Sequence, residues 1–269
     1  MIKKGIILAG GLGTRMSPLT KAVNKQLLPI YDKPLIFYPL SILMLANIKD
    51  ILIIVNKGQL EQYKKILPNG ENLGIKISYK EQEEPRGLPD AFILGEKFIK
   101  NNNVALILGD NFFYGQNLSK NLINNSKLNK GAKILLYKVL KPELFGVAKI
   151  NSKKKVVYIK EKPKKFVSDY AITGLYFFDK NVVKYAKTLK PSKRNELEIV
   201  DLLNIYKKNN KLSADFLGRG GAWLDTGSIE DFYKTSAFVQ AVENRQGLKI
   251  ACLEEIAFLN KWVDKKKVL

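Results

Sequence analysis

Histidine is absent from the 269 residues, and cysteine occurs once, as Cys252. Without histidine the chain has no imidazole base, no histidine-containing catalytic triad and no histidine metal site. A single cysteine excludes an internal disulfide and a cysteine metal cluster. Any metal would therefore be held by carboxylates, which suits Mg²⁺.

Long apolar runs are also absent, and none approaches the length of a membrane span. The residues Met1 to Lys4 lead into a predicted strand without the apolar region of a signal peptide. We therefore expect a cytoplasmic protein with no membrane partner. Hydrophobic residues make up 46% of the chain, which is enough for a substantial core, and we expect a single domain over residues 1–269.

Acidic residues are few, since 25 Asp+Glu stand against 46 Lys+Arg and give a formal net charge of +21. Such an excess is compatible with nucleic-acid binding. The lysines, however, are spread along the chain, and neither a basic helix with interleaved aromatic residues nor a zinc module occurs. We therefore expect no nucleic-acid partner, and we interpret the charge as favouring solubility and attraction of anionic ligands.

Short apolar runs alternate with helical patterns in the first half of the chain. The predicted strands are Ile6 to Leu8, Ile51 to Val55, Ile75 to Tyr79 and Val104 to Leu108, and the predicted helices lie near Leu35 to Ala46, Leu60 to Ile66 and Leu88 to Phe98. This alternation predicts an α/β fold with a mostly parallel central sheet and helices on both faces. In such a sheet, ligands bind at the carboxyl ends of the strands.

The second half has more closely spaced strands, which predict a small antiparallel insertion beside the parallel sheet. These strands are Ala132 to Lys138, Val147 to Ile150, Val156 to Lys160 and Ala171 to Phe178, with helices near Asn181 to Lys187, Ile199 to Lys208 and Ser228 to Glu243. The last helix is predicted to be capped by Ser228. Its predicted buried face carries Ile229, Phe232, Tyr233, Ser236 and Val239.

The segment from Gly10 to Arg15, Gly-Gly-Leu-Gly-Thr-Arg, directly follows the first predicted strand. Its glycines allow backbone amides to turn toward an anion, and Arg15 adds a positive charge. It is neither a Walker loop, because no Gly-Lys-Ser/Thr closes it, nor a dinucleotide fingerprint, because Met16 stands where the last glycine is needed. The loop predicts a phosphate site, and an ordinary tight turn is the alternative.

Several polar residues at predicted strand ends are further candidates. Lys25 is a second cation near the glycine loop, and two cations suit a triphosphate; a surface lysine is the alternative. Asp110 directly follows a buried strand, where Mg²⁺ ligands often lie, although a helix-capping aspartate is equally compatible. Asp225 lies in a second glycine-flanked turn. Two such aspartates could hold a metal ion.

Two motifs indicate how a base and a sugar would be bound. The amide of Gln82 can pair with a pyrimidine edge, and Gly87 nearby admits a flat ring. The motif Glu161-Lys162-Pro163 places a carboxylate and an ammonium group at a strand end. Taken by itself, the second motif favours a strand end with solvated charges.

Seven motifs occur in order along the chain, from residue 5 to about Trp262. They are Leu8 to Met16, Lys25 to Pro29, Tyr31 to Pro34, Leu108 to Asn111, Glu161 to Pro163, Thr173 to Tyr176 and Ala222 to Gly227. Together they resemble the sugar nucleotidyltransferases and, among these, the glucose-1-phosphate thymidylyltransferases.

The resemblance implies a Rossmann-like nucleotide-diphospho-sugar transferase fold. It implies a nucleotide-binding part over about residues 1–130, a sugar-binding part over about 131–227 and a C-terminal helical part over about 228–269. The implied reaction joins dTTP and α-D-glucose 1-phosphate with Mg²⁺ as cofactor, and the implied assembly is a homo-oligomer, a tetramer. Uridylyl or cytidylyl transfer to another sugar 1-phosphate is an alternative, as is a non-catalytic nucleotide-sensing or nucleic-acid-binding protein on the same fold.

The resemblance also implies roles for individual residues. The implied catalytic residues are Arg15, Lys25, Asp110 and Lys162, and the implied metal ligands are Asp110 and Asp225. The implied nucleotide site comprises Gly10, Gly11, Gly13, Thr14, Arg15, Lys25, Gln26, Gln82 and Gly87, with the last two on the thymine. The implied sugar-phosphate site comprises Asn111, Gly146, Glu161, Lys162, Ile172, Tyr176 and Arg194.

Three positions depart from the pattern of that family. Asn24 replaces the usual serine before Lys25, Arg86 stands where an aspartate is common, and Gly221 replaces an aromatic residue. None of these removes an implied catalytic group. Members of the family have a regulatory nucleotide site at a subunit interface. Parts of that site are resembled in this chain, at Tyr114, Gly115, Arg219 and Glu255. The chain ends without the helical tail that similar proteins usually carry, which leaves regulation open.

Overall fold

A computed structural model describes residues 1–11, 13–152 and 155–268 of the chain. The first half comprises β1 (Lys4–Ala9), β2 (Pro29–Ile30), β3 (Lys33–Pro34), α1 (Phe37–Leu45), β4 (Asp50–Asn56), α2 (Leu60–Ile66), β5 (Lys76–Gln82), α3 (Asp90–Leu94), α4 (Glu96–Ile99), β6 (Val104–Leu108), β7 (Asn111–Gly115) and α5 (Leu118–Ser126). Every strand and helix predicted for this half is present. The third predicted helix is interrupted at Gly95, where a side chain would press against Ile6 of β1.

The second half comprises β8 (Ala132–Lys138), β9 (Gly146–Ile150), β10 (Val156–Glu161), β11 (Tyr170–Phe178), α6 (Val182–Ala186), α7 (Ile199–Lys208), β12 (Leu212–Phe216), β13 (Gly221–Asp225), α8 (Ile229–Gln246), α9 (Leu253–Leu259) and α10 (Lys265–Val268). Short 3₁₀ turns span Thr14–Met16, Lys25–Leu27, Glu71–Leu73 and Pro142–Leu144. Of the helices in the described residues, none combines the length and apolar character needed to cross a bilayer.

Nine strands form one sheet that runs through both halves of the chain. Seven of them lie in the order β10-β9-β11-β6-β1-β4-β5, while β8 pairs with β11 and β12 pairs with β8. Strands β6, β1, β4 and β5 are parallel, and β11 runs antiparallel to β6. The antiparallel strands therefore extend the parallel sheet directly, through β11, instead of forming a separate layer beside it.

Helices cover both faces of this sheet, which explains why its central strands are apolar throughout. Strand β4 illustrates the alternation. Ile51, Ile53 and Val55 pack with side chains of α1, α2, α5 and α9, whereas Leu52 and Ile54 pack with side chains of α3, α4, α6 and α7. Polar side chains that could bind a ligand therefore lie in the loops at the strand ends.

Helix α8 begins as predicted but buries a different face. The Ser228 hydroxyl accepts a hydrogen bond from a backbone N–H of the first turn. The predicted burial of Ile229 and Tyr233 is wrong, because these side chains are 48% and 70% exposed. The buried positions, each four residues apart, are Thr235, Val239 and Glu243. The helix packs on β2 and β13 rather than on the main sheet, so a different face is covered.

Candidate active site

The carboxyl ends of β1 and β6 place the glycine loop and Asp110 side by side. The two strands are parallel neighbours, with Leu8 opposite Leu108. The Gly109 N–H donates to the Leu8 carbonyl at 2.9 Å, so the segments that follow the strands start together. This placement confirms the prediction that both segments lie at one edge of the sheet.

Asn56, at the carboxyl end of β4, holds the glycine loop. The Gly11 N–H donates to Asn56 Oδ1 at 3.0 Å, and Asn56 Nδ2 donates to the Gly11 carbonyl at 2.8 Å. Gly11 and Gly13 have φ of +92° and +61°, which favours glycine at both positions. Leu12 lies outside the described residues. The sequence analysis missed Asn56, although the rule that selected Asp110, a polar residue at a parallel strand end, applies to it as well.

Lys25 and Asp110 form an ion pair, with Nζ and Oδ2 2.6 Å apart. Lys25 starts a 3₁₀ turn that Asn24 caps, because Asn24 Oδ1 accepts from the Gln26 N–H and from the Tyr63 hydroxyl. Burial raises the pKa of the Asp110 carboxyl. The positive charge of Lys25 and the hydrogen bonds that Asp110 accepts lower that pKa by more, so it lies below its ordinary value. Asp110 is therefore ionised at neutral pH.

Asp225 lies next to Asp110 because β13 pairs with β7. In that pairing Asp225 is opposite Asn111, and the N–H and hydroxyl of Thr226 both donate to the Asp110 carbonyl, at 3.0 and 2.9 Å. Burial, together with repulsion from Asp110, raises the pKa of Asp225 to about 6. Two residues 115 positions apart in sequence thus face one cavity. Their role as metal ligands stays a prediction.

Asn111 is buried and serves mainly to orient its neighbours. Its Oδ1 accepts from Trp223 Nε1 at 2.6 Å and from the Gly174 N–H at 3.0 Å, and its Nδ2 donates to Asp110 Oδ1 at 2.9 Å. Its predicted contact with a sugar is therefore limited to the remaining N–H. The sequence analysis did not single out Trp223 as a functional side chain, although it lies two residues before Asp225.

A cavity of about 280 Å³ lies beside the two aspartates. All seven residues predicted for the sugar-phosphate site line it, namely Asn111, Gly146, Glu161, Lys162, Ile172, Tyr176 and Arg194. Arg15 and both aspartates line it too. The other predicted nucleotide-binding residues lie outside this lining. The structure therefore collects the sugar-phosphate set in one place, and Arg15 joins it to the glycine loop.

Besides Arg15 and the two aspartates, the wall of the cavity carries three glutamates and two cations, namely Glu161, Glu196, Glu198, Lys162 and Arg194. Glu161 lies under Gly146, where a Cβ would come 2.9 Å from Glu161 Oε2. Burial raises the pKa of Glu161, and the charge of Lys162 opposes that shift. Arg194 donates from Nη2 to both carboxylate oxygens of Glu198, at 2.9 and 2.8 Å. Glu198, at the start of α7, was missed because its partner comes from an irregular loop.

Arg15 and Gln26 bound the space between the glycine loop and the cavity. A Cβ at Gly227 would lie 3.1 Å from Arg15 Nη2, so the glycine leaves room for the guanidinium. Gln26 is buried, with Nε2 3.4 Å from the Gly10 carbonyl. Its Oε1 has no hydrogen-bond partner within the described part of the chain. Such an acceptor is available to a ligand N–H or O–H.

Gly87 makes a close contact between two loops. A Cβ there would lie 2.1 Å from the Leu197 carbonyl oxygen, and φ at Gly87 is +95°. The missing side chain is thus needed for chain packing, and its predicted role beside a flat ring stays a prediction. Gln82 is buried at the end of β5, and its Nε2 donates to Asp90 Oδ2 at 3.0 Å. Thr14, by contrast, is exposed.

The residues that resemble a regulatory site lie on another part of the surface. Tyr114 and Gly115 belong to β7, and the Tyr114 hydroxyl accepts from Gln246 Nε2 at 3.1 Å. Arg219 and Glu255 are exposed. A regulatory function for this group stays a prediction.

Comparison with known proteins identifies the family. The family model described as Nucleotidyl transferase matches residues 4–242. The chain belongs to the nucleotidyl transferase family. Among the relatives of this nucleotidyl transferase, glucose-1-phosphate thymidylyltransferase of Neisseria meningitidis is 52% identical over 265 residues, which cover 98% of this chain and 92% of the relative. The enzyme of that name from Xanthomonas campestris is 46% identical, and the match covers 99% of this chain and 90% of the relative.

Solved structures give the same assignment for the fold of this nucleotidyl transferase. A Bacillus anthracis protein assigned as a glucose-1-phosphate thymidylyltransferase, in complex with sucrose, superposes with a TM-score of 0.81 at 39% identity and covers 87% of this chain and 94% of its own. A UDP-glucose pyrophosphorylase complexed with UDP-glucose superposes with a TM-score of 0.79 at 27% identity. The superposition covers 91% of this chain and 100% of the pyrophosphorylase. The resemblance inferred from the seven motifs is confirmed.

Proposed function

We propose that the protein transfers a thymidylyl group from dTTP to α-D-glucose 1-phosphate, giving dTDP-glucose and pyrophosphate. One observation carries the proposal: Arg15, which ends the glycine loop, lines the same cavity as Asp110, Asp225, Lys162 and Arg194. A triphosphate and a sugar phosphate can therefore meet at one edge of the sheet. The names of the relatives support the choice of thymidine and glucose.

The cavity wall supplies the contacts that a sugar 1-phosphate needs. Glu161 accepts hydrogen bonds from sugar hydroxyls, and Lys162 and Arg194 pair with the phosphate. Arg194 exchanges part of its pairing with Glu198 for the phosphate. These contacts fix the sugar phosphate so that its oxygen faces the α-phosphorus of the nucleotide.

The chemistry requires no general base, because the attacking phosphate oxygen is already an anion. The absence of histidine is therefore compatible with turnover. Arg15 and Lys25 stabilise the negative charge that grows on the departing pyrophosphate. Catalysis by this chain thus consists of alignment and charge stabilisation.

The residues present fit Mg²⁺. Asp110 and Asp225 line one cavity, and the pKa of Asp225 is raised first by burial and then by repulsion from Asp110, which a bound cation would offset. No group of three or more Cys, Asp or Glu side chains suited to a metal occurs in the described residues, so phosphate and water oxygens would complete the coordination. When bound, Mg²⁺ supplies charge neutralisation for the phosphates. Lys25 holds Asp110 ionised for that role.

A cytoplasmic location and a homotetramer belong to the same proposal, on the resemblance to the family. The exposed Ile229 and Tyr233 of α8 support self-association, since large exposed apolar side chains at adjacent positions often mark an interface. Light scattering coupled to size-exclusion chromatography measures the assembly, and a mass of one chain would contradict it.

A pyrophosphate-release assay tests the proposed reaction. We expect release only when dTTP, glucose 1-phosphate and Mg²⁺ are all present, and loss of release on chelation with EDTA. Asp225→Asn should abolish release, whereas Asp201→Asn, on the exposed surface of α7, is the matched control and should not. Release from dTTP without the sugar phosphate, or none with both, would contradict the proposal.

A further inference from the structure

The side-chain amide of Gln82 is held by a buried carboxylate. Gln82 Nε2 donates to Asp90 Oδ2 at 3.0 Å, and Asp90, the first residue of α3, is 1% exposed. The second oxygen of the carboxylate accepts from Arg86 Nη2 at 2.9 Å. Both carboxylate oxygens are therefore engaged, and the carboxylate is not free to turn.

This contact fixes which end of the amide faces Asp90. A carboxylate only accepts hydrogen bonds, so the amide must present Nε2 to it and direct Oε1 elsewhere. Oε1 lies beside the glycine loop, where a Cβ at Gly10 would be 2.8 Å from it. In the described residues, no group donates a hydrogen bond to this oxygen. If the amide were turned over, Gln82 Oε1 would face Asp90 Oδ2, and a contact between two acceptors would replace the hydrogen bond.

We propose that Asp90 is a positioning residue that sets the choice between thymine and cytosine. The inference rests on the proposed function and on the contact between Gln82 and the base that the sequence analysis predicts. With its orientation fixed, the amide offers Oε1 as an acceptor and one remaining N–H as a donor. The N3–H and the neighbouring carbonyl of thymine or uracil complement this pair.

Cytosine presents the opposite pattern at the same two positions, an N3 acceptor and an N4 donor. An unrestrained glutamine would adapt by turning its amide over, and the choice of base would be lost. Asp90 opposes that turn, because Oε1 would then face Oδ2. The discrimination therefore resides in Asp90 rather than in Gln82 alone, and it is a case of specificity built from an unfavourable contact with the wrong ligand.

Binding of dTTP and dCTP, measured separately by calorimetry on the full-length protein without sugar phosphate, tests this role. We expect the wild type to bind dTTP at least about tenfold more tightly, because the wrong base leaves buried polar groups unpaired. In Asp90→Asn the new amide can donate or accept, so the ratio of the two dissociation constants should fall about tenfold, mainly through tighter binding of dCTP. A purely structural role would weaken both nucleotides together.

Arg86→Lys is the matched control, because it changes the other partner of Asp90 and keeps the carboxylate and the charge. In Arg86→Lys the ratio of the dissociation constants for dCTP and dTTP should stay within about twofold of the wild-type ratio. An unchanged ratio in Asp90→Asn, or an equal change in Arg86→Lys, would overturn the inference. If Asp90→Asn melts below the assay temperature, Asp90→Ser, whose hydroxyl also donates or accepts, should show the same fall in ratio, and no fall would overturn the inference.

The binding assay also separates this inference from the proposed function. A protein that prefers dTTP over dCTP but releases no pyrophosphate with glucose 1-phosphate would contradict thymidylyl transfer alone, and the ratio in Asp90→Asn would still decide the role of Asp90. A protein that releases pyrophosphate but keeps its ratio in Asp90→Asn would contradict the role of Asp90 alone. A wild type that binds neither nucleotide would contradict both.

Discussion

Arg15 illustrates how a single side chain is expected to act in the transition state. It follows the glycine loop and lines the cavity, and in the proposed reaction it stabilises the charge that builds on the departing pyrophosphate. Loss of such a contact commonly costs a few kcal/mol, or on the order of a hundredfold in rate. Arg15→Ala should therefore lower kcat far more than it raises KM for glucose 1-phosphate, as measured by steady-state kinetics.

The control for this prediction is Arg245→Ala, which removes an exposed arginine from α8 and should leave both constants unchanged. A normal kcat with a raised KM in Arg15→Ala would show that Arg15 serves ground-state binding only.

Asp225 is expected to be a residue that lowers stability. Its pKa is raised from the ordinary 3.8 to about 6, so the folded state holds the proton more tightly than the unfolded chain does within that window. The free energy of unfolding therefore falls as pH rises from about 4 to about 6, and the cost is complete above that range. We expect metal-free Asp225→Asn to be about 1 to 3 kcal/mol more stable than the wild type at pH 8.

Urea denaturation in EDTA at several pH values measures this difference. The advantage of Asp225→Asn should disappear below about pH 4, where the wild-type carboxyl is protonated in both states. A variant less stable than the wild type at pH 8 would contradict the prediction. The same substitution should abolish pyrophosphate release, so stability and activity change in opposite directions.

At this scale, the residues predicted from sequence are those whose position along one segment indicates their role. Asp110 comes at the end of an apolar strand, and that local pattern makes it a candidate, whereas the role of Glu161 was implied only by the resemblance to the family. Asn56 and Trp223 were missed because their roles depend on partners 45 and 112 residues away. Asp90 was missed for a related reason, since nothing in its local sequence indicates a buried contact with a strand end.

The contact between two loops at Gly87 gives a prediction at the scale of elements. The loop after β5 touches the segment before α7 through Gly87 and Leu197, and that segment carries Arg194 and Glu198. Gly87→Ala should destabilise the fold by about 3 kcal/mol, because it adds a steric clash to a positive φ. The displaced segment should also raise KM for glucose 1-phosphate.

Gly58→Ala is the matched control, because φ at Gly58 is +79° and no atom lies within 4 Å of the added Cβ. It should cost about 1 kcal/mol and leave KM unchanged. Equal losses of stability in both variants, measured by thermal unfolding, would show that the close contact at Gly87 has no energetic importance.

The elements that could be predicted are those buried on both sides. Strands β1, β4 and β6 have apolar runs because helices cover both faces of the sheet, so their sequences alone indicate them. The edge strand β5 mixes buried and exposed residues, and its prediction rested on Ile75, Ile77 and Tyr79. Strands β7, β12 and β13 were missed, since their partly exposed residues interrupt the apolar pattern. The predicted buried face of α8 was right for Val239 and wrong for Ile229 and Tyr233, because periodicity shows that a helix has an apolar side but not which neighbours cover it.

At the scale of the whole molecule, one sheet carries both halves of the proposed reaction. The parallel strands end at the glycine loop and Asp110, and β11 links them to the strands that bound the sugar-phosphate cavity. A net charge of +21 adds a long-range attraction for two anionic substrates. In the proposed reaction, an oxygen of the sugar phosphate therefore attacks the α-phosphorus of dTTP at the junction of the two halves.

Transfer of an isotope label tests this attack on the α-phosphorus. Glucose 1-phosphate with ¹⁸O at every phosphate oxygen is incubated with dTTP, Mg²⁺ and the protein, and the products are analysed by mass spectrometry. We expect dTDP-glucose to retain every labelled oxygen and pyrophosphate to contain none, because the bond formed joins a sugar-phosphate oxygen to the α-phosphorus. Label in the pyrophosphate, or a dTDP-glucose that has lost a labelled oxygen, would contradict it.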